Sequence, residues 1–181
     1  IGIFLWGPIV SNVEKAKYKV VESHGNIEIR DYPPMIVAEV EVTGNRESAA
    51  NKGFRLLANY IFGNNADRAK ISMTAPVIEK VKSNEVWEIK FVMPSNYSIE
   101  TLPKPNNPLI KISLTENKRW VVIRFSGLTS QNNLEQHRLK LQNFIELKQL
   151  NPVSDPMYAF FNPPWTFPAL RRNEIMVEVE H

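Results

Sequence analysis

Apolar and polar residues alternate over residues 17–22 (KYKVVE) and 26–32 (NIEIRDY), with Ser23, His24 and Gly25 between them; this spacing predicts a β-hairpin. Pro33 and Pro34 interrupt the run. Alternation resumes over residues 35–43 (MIVAEVEVT), where Ile36, Ala38, Val40 and Val42 share one face, assigned to the core, and Val37, Glu39, Glu41 and Thr43 share the other. Then the period changes. Across residues 46–62, Ala50, Phe54, Leu57, Ala58 and Ile61 recur at three- and four-residue intervals, which predicts a helix buried along that stripe. Gly63, Asn64 and Asn65 tolerate the left-handed geometry that ends a helix. Residues 71–77 (ISMTAPV) predict a strand, with Pro76 at its edge or at a bulge.

Residues 86–93 (VWEIKFVM) predict another strand, and the proline-rich stretch 94–108 a connector within one domain. Strands over 109–115 and 120–126 meet at a turn over 116–119. A second helix is expected over 132–150, with Leu134, Leu141, Phe144 and Ile145 inward and Thr129 or Ser130 as its cap. Strands over 157–161 and 174–179 complete the chain. The order strand-strand-helix-strand-strand is thus written twice, and residues 27–44 and 110–127 share their spacing, as an ancient duplication would leave them. Two such units predict an α+β fold: an antiparallel sheet closed or nearly closed into a barrel, with one helix from each half outside it.

A length of 181 residues suits one domain, and 43% hydrophobic with 23% charged residues suits a folded globular chain. The net charge is +3, and only Lys118-Arg119 and Arg171-Arg172 are adjacent basic pairs, so the concentrated basic stripe of a nucleic-acid-binding protein is missing. With no cysteine, disulfides, zinc–thiolate sites, iron–sulfur clusters and a cysteine nucleophile are excluded. Residues 1–10 (IGIFLWGPIV) are apolar but too short to span a bilayer. Two readings stand for this stretch: the trailing end of a signal or membrane-anchor segment, or a tail packed on the domain. The expected division is a tail over 1–16 and one domain over 17–181. The protein would be membrane-anchored or periplasmic on the first reading, cytoplasmic on the second.

Catalytic chemistry has little support. His24, His137 and His181 lack metal-ligand spacing. Ser126-Gly127 lacks the glycine two residues before the serine that a nucleophile elbow needs. Glu39 and Glu41 point to one side of their strand; a close carboxylate pair can serve acid–base chemistry, and a solvated strand face is the simpler account. Aromatic surface is more abundant. Phe160, Phe161, Trp165 and Phe167 cluster with prolines before Arg171 and Arg172. Such a group can clasp a flat hydrophobic carboxylate, or else plug a barrel end while the arginines pair with glutamates.

Several ordered motifs resemble the SOUL family of haem-binding proteins. They are IEIRDY at residues 27–32, GFRLLANYIFGNN leading into KISMTAPV, FVMPSNY with LPKP, and RRNEI at 171–175. The resemblance runs from Tyr18 to Val179. It implies a distorted antiparallel barrel with two flanking helices and pseudo-twofold symmetry, a fold also similar to the effector-binding domains of bacterial multidrug-responsive regulators. It implies a non-enzymatic protein that binds haem or another porphyrin reversibly in a shallow hydrophobic groove beside helix one, for buffering or transport. Carried onto this chain, the groove positions are Asn51, Phe54 and Ala58, with Arg55, Arg171 and Arg172 as cations for the propionates. Positions that are methionine or basic in some members are here Phe54, Ala58 and Asn59, and no histidine stands in MIVAEVEV, so no axial ligand is evident. The rival expectation is a binding module for another hydrophobic small molecule or a protein partner.

Overall fold

The computed structural model describes residues 13–181. Among them, the strands are β1 (Glu14–Lys15), β2 (Lys19–His24), β3 (Ile27–Tyr32), β4 (Ile36–Thr43), β5 (Thr74–Ala75), β6 (Val77–Ser83), β7 (Val86–Val92), β8 (Lys111–Leu114), β9 (Lys118–Phe125), β10 (Met157–Phe160) and β11 (Asn173–Val179). Helices α1 (Arg46–Ile61) and α2 (Gln131–Leu147) follow β4 and β9. Each helix starts on a side-chain cap: Asn45 accepts from the Ser48 amide at 2.9 Å and Ser130 from the Asn133 amide at 3.3 Å. Residues 1–12, most of the expected tail, lie outside the described residues, whereas Glu14 and Lys15 pair with Thr74 and Ala75.

Nine strands form one antiparallel sheet in the order β2-β3-β9-β11-β10-β6-β7-β4-β8. The α+β class is as expected, but the sheet is open and the barrel does not form. Its two ends are poor edges for mutual pairing: β2 is exposed throughout and carries a register shift at Val20/Glu22, and β8 has only four residues. The run expected as one strand over 71–77 is also divided. Pro76 has no amide hydrogen to donate, so β5 ends before it and β6 begins after it. β6 itself (VIEKVKS) escaped the sequence pattern because charged residues interrupt its alternation.

Alternation along the strands separates two faces. On one, Ala38, Val40, Val42, Ile89 and Phe91 meet α1, while Ile29, Val121, Ile123, Ile175 and Val177 meet α2. On the other, Val37, Ile78, Val92, Trp120, Val122, Met157 and Met176 form a third cluster, joined by Val13, Ala16 and Tyr18. Val37 is therefore core, whereas Glu39 and Glu41 on the same strand face are ion-paired.

Candidate ligand-binding groove

Helix α1 packs on β4 and β7, and α2 on β9 and β11. Between these pairs lie β6 and β10, in register Val77↔Phe160 and Glu79↔Tyr158. Ile78, Met157 and Ala159 turn to the third cluster, so Val77, Glu79, Tyr158 and Phe160 turn to the helix side. Val77, Tyr158 and Phe160 are only half-buried there. This strip is the floor of a valley between the two helices.

One flank of α1 borders that valley. Arg46, Ala50, Phe54 and Ala58 follow one another at every fourth position and so share a flank. Arg46 reaches Glu79 on β6, which directs the flank toward the valley. The opposite flank looks to the end of β4 and to the 94–108 connector, where Lys52 donates to the Thr43 carbonyl at 3.4 Å and Tyr60 to the Pro103 carbonyl at 2.7 Å. The helix is rotated from the expected stripe: Ala49, Gly53, Leu57, Ala58, Tyr60 and Ile61 are buried, and Phe54 and Ala50 are half-buried at the rim. Gly53 is the reason, since a Cβ there would stand 2.7 Å from Ile89 Cβ. Only a hydrogen lets α1 sit this close to β7, and the contact turns Phe54 sideways, edge-on to Phe91 at 5.3 Å between ring centroids. Asn51 and Arg55 are exposed beside it.

Polar groups at the valley floor come from three elements. Arg46 donates to Glu79 at 3.1 Å and to the Thr129 carbonyl at 2.7 Å, with its guanidinium 5.8 Å from the Phe160 ring centroid. Burial raises the Glu79 pKa, and Arg46 partly opposes the rise. Burial also raises the Tyr158 pKa, opposed first by Arg138 on α2. Among the described residues, the Tyr158 hydroxyl makes no hydrogen bond and is not sealed from solvent. Arg138 itself is held by Glu135 at 2.8 and 2.6 Å and by Gln142 at 3.1 Å.

The remaining sequence candidates lie apart. Arg171 serves its own loop, donating to the carbonyls of Thr166, at 2.8 Å, and of Pro164. Arg172 binds Glu174 at 2.9 Å and the Tyr18 hydroxyl at 3.0 Å over the Phe161 ring, on the face of the sheet opposite α1. The structure thus brings Asn51, Phe54, Arg55 and Ala58 together and leaves Arg172 on the other side. Trp165 and Phe167 are exposed. Glu39 pairs with Lys90 at 3.0 Å, and Lys82 beside Glu41 lowers that carboxyl's pKa. His137 stacks on Phe125 at 4.1 Å, and its Nδ1 lies 2.8 Å from the Asn133 carbonyl. Among the described residues, no group of three acidic or histidine side chains could hold a metal ion, and no helix is long and apolar enough to cross a membrane. A separate cleft of about 420 Å³ lies between Pro33–Ile36, the 94–100 segment and Glu14–Lys17. Arg46, Glu79 and Tyr158 were not singled out in the sequence; they become visible once β6 is placed beside β10.

Three comparisons relate the chain to known proteins. A family model described as SOUL heme-binding protein matches residues 13–178. Heme-binding protein 1 of Xenopus tropicalis is 26% identical over 178 residues, covering 94% of this chain and 93% of that protein. Among solved structures, the EcmrR C-terminal domain superposes with a TM-score of 0.65 at 15% identity, over 90% of this chain and 98% of that one. A hydrolase from Listeria innocua superposes with a TM-score of 0.62 at 13% identity, over 88% and 94%. These two likenesses are of fold alone.

Proposed function

The chain belongs to the SOUL heme-binding protein family, and on that premise we propose that it binds haem or a related tetrapyrrole reversibly in the valley beside α1. The carrying observation is the half-buried apolar strip of Ala50, Val77 and Phe160 between two helices that each pack on other strands, with Phe54 on the bordering flank of α1. The strip fits the group: it offers aromatic edges to a flat macrocycle, and exposed Arg55, with Arg138 near Tyr158, supplies cations for propionates. Asn51 and Ala58 border the same flank. Bound haem would supply an iron centre and a chromophore; the chain supplies apolar contact, charge pairing and shielding from water.

The affinity scale follows from area. Covering about 200 Å² of one macrocycle face contributes about 5 kcal/mol at 25 cal/mol/Å². That area alone corresponds to a dissociation constant of about 0.2 mM, and association costs weaken it further, so binding in the micromolar range requires the charge pairing and contact on the second macrocycle face as well. That range suits buffering or transport. A second reading, another hydrophobic ligand, rests on the cleft of about 420 Å³ lined by Pro33, Pro34, Met35, Tyr97, Ile99 and Leu114.

Haem titration followed by the Soret band and by backbone chemical shifts tests both. Saturation with shifts along residues 50–58, weakened in Phe54→Asp, is the expected result. No Soret change at tens of micromolar would overturn haem binding, and shifts confined to residues 33–36 and 94–100 would transfer the site to the cleft.

A further inference from the structure

We infer that Tyr158 is the residue of this chain that ligates haem iron, through its phenolate oxygen; this rests on haem binding in the valley. The sequence contains no cysteine, and the three histidines are placed elsewhere. His24 lies on the edge strand β2 with its Nε2 2.9 Å from Glu22. His137 is stacked on Phe125 of β9, on the side of α2 away from β10. His181 lies beside Tyr18, Asp31 and Lys118, beyond the end of the β10–β11 pairing at Met157↔Met176.

Tyrosines offer the remaining strong donor. The sequence has five. Tyr18, Tyr32 and Tyr60 are engaged by Arg172, Arg30 and the Pro103 carbonyl. Tyr97 lines the separate cleft. Tyr158 stands on the valley floor opposite Glu79, half-buried, with a hydroxyl that makes no hydrogen bond among the described residues. The hydroxyl is open to solvent, so a ligand atom entering the valley can take the place of water on it. Burial disfavours the phenolate, Arg138 and Arg46 favour it, and Glu135 and Glu79 oppose them, so ionisation depends on the iron itself.

The step is a ligand exchange. The phenol O–H bond breaks and an O–Fe(III) bond forms. The hydroxide that ferric haem carries in solution leaves with the phenol proton as water, and no electron is transferred. A hard anionic oxygen prefers ferric to ferrous iron. Met73, which packs at the rim of the α1 cluster, is the soft neutral alternative and would show the reverse preference.

Wild type, Tyr158→Phe, Tyr158→His and Met73→Leu would be titrated with ferric haem and with metal-free protoporphyrin IX. Ferric wild type is expected to show a phenolate-to-iron charge-transfer band that Tyr158→Phe abolishes and Tyr158→His replaces with an imidazole-type spectrum. Tyr158→Phe should bind ferric haem about tenfold or more weakly, the loss of one coordinate bond, and metal-free porphyrin as wild type does. Equal weakening for both porphyrins, or an unchanged ferric spectrum in Tyr158→Phe, would overturn the assignment while leaving the groove intact. A ferric spectrum altered by Met73→Leu alone would do the same. Failure of wild type to bind either porphyrin would instead remove the groove on which the assignment rests.

Discussion

Arg46 Nη1 donates to Glu79 Oε2 at 3.1 Å, tying the first turn of α1 to the floor strand β6. Glu79 is 5% exposed, and burial raises its pKa despite the guanidinium. With the folded pKa above the unfolded one, the folded state holds this proton more tightly. The associated stability is full below the ordinary carboxylate pKa and is lost as pH rises through the folded value. Arg46→Met removes the opposing charge, so the folded pKa climbs further. The variant should be about 3 kcal/mol less stable at neutral pH, with the deficit shrinking as Glu79 takes up its proton. Urea unfolding across pH measures this, and a deficit independent of pH would exclude Glu79 as its source.

Arg30 and Glu174 form a second buried ion pair, with guanidinium–carboxylate distances of 2.9 and 3.1 Å and exposures of 1% and 0%. Arg172 adds a further bond to the same carboxylate at 2.9 Å. Desolvation would lower the Arg30 pKa, but its bonds to Glu174 hold it above the ordinary value. Glu174→Gln or Arg30→Met should each destabilise by about 1.5–3 kcal/mol, less than for an isolated buried pair, because Arg30 keeps Glu28 at 2.6 Å and Glu174 keeps Arg172. The double variant Arg30→Met/Glu174→Met should lose less than the sum of the two single Met variants. Additive losses in chemical denaturation would mean that the two side chains act independently.

Gly53→Ala tests what positions Phe54. The new Cβ would meet the Ile89 side chain below normal contact distance, including Ile89 Cβ at 2.7 Å, so the helix must lift from β7. Overpacking of this kind costs about 1–3 kcal/mol and outweighs the gain in helix propensity of up to about 1 kcal/mol. Ile89→Val in the same chain should recover part of the loss. A Gly53→Ala protein at least as stable as wild type would show that the close approach is not needed.

The sequence patterns that succeeded are those written in one period. Alternation in MIVAEVEV sorts Ala38, Val40 and Val42 to the helix side, and the Ser130 cap and the Leu134–Leu141–Ile145 stripe define α2. What escaped depended on partners distant in the chain. Glu79 reads as a surface residue until Arg46 and Tyr158 are set around it, and β6 is obscured by the same charges. The Phe54 side of α1 was legible, but its exposure was not: Phe54 repeats at a core spacing, and only Gly53 against Ile89 turns it to the rim. Arg171-Arg172 suggested one clasp, whereas neighbouring residues leaving a loop for β11 point to different partners.

Tyr60 links α1 to the connector through its 2.7 Å bond to the Pro103 carbonyl. Burial is the leading cause that pushes its phenol from the ordinary 10.0 up to about 12. Between these values the unfolded chain ionises while the folded one stays neutral. The Tyr60 contribution is thus complete below the unfolded pKa and is lost as pH rises toward the folded value. Tyr60→Phe leaves the Pro103 carbonyl without this donor, a loss of about 1 kcal/mol at neutral pH. It also removes a proton that stabilises the folded state in alkali, so the variant should lose less stability than wild type on going to high pH, by on the order of 1–2 kcal/mol. Tyr18, Tyr32, Tyr97 and Tyr158 are common to both proteins, so the difference between the two unfolding curves reports Tyr60 together with its coupling to Tyr97. Parallel curves through the alkaline range would mean that its hydroxyl is open to solvent and that the connector is held to α1 by other contacts.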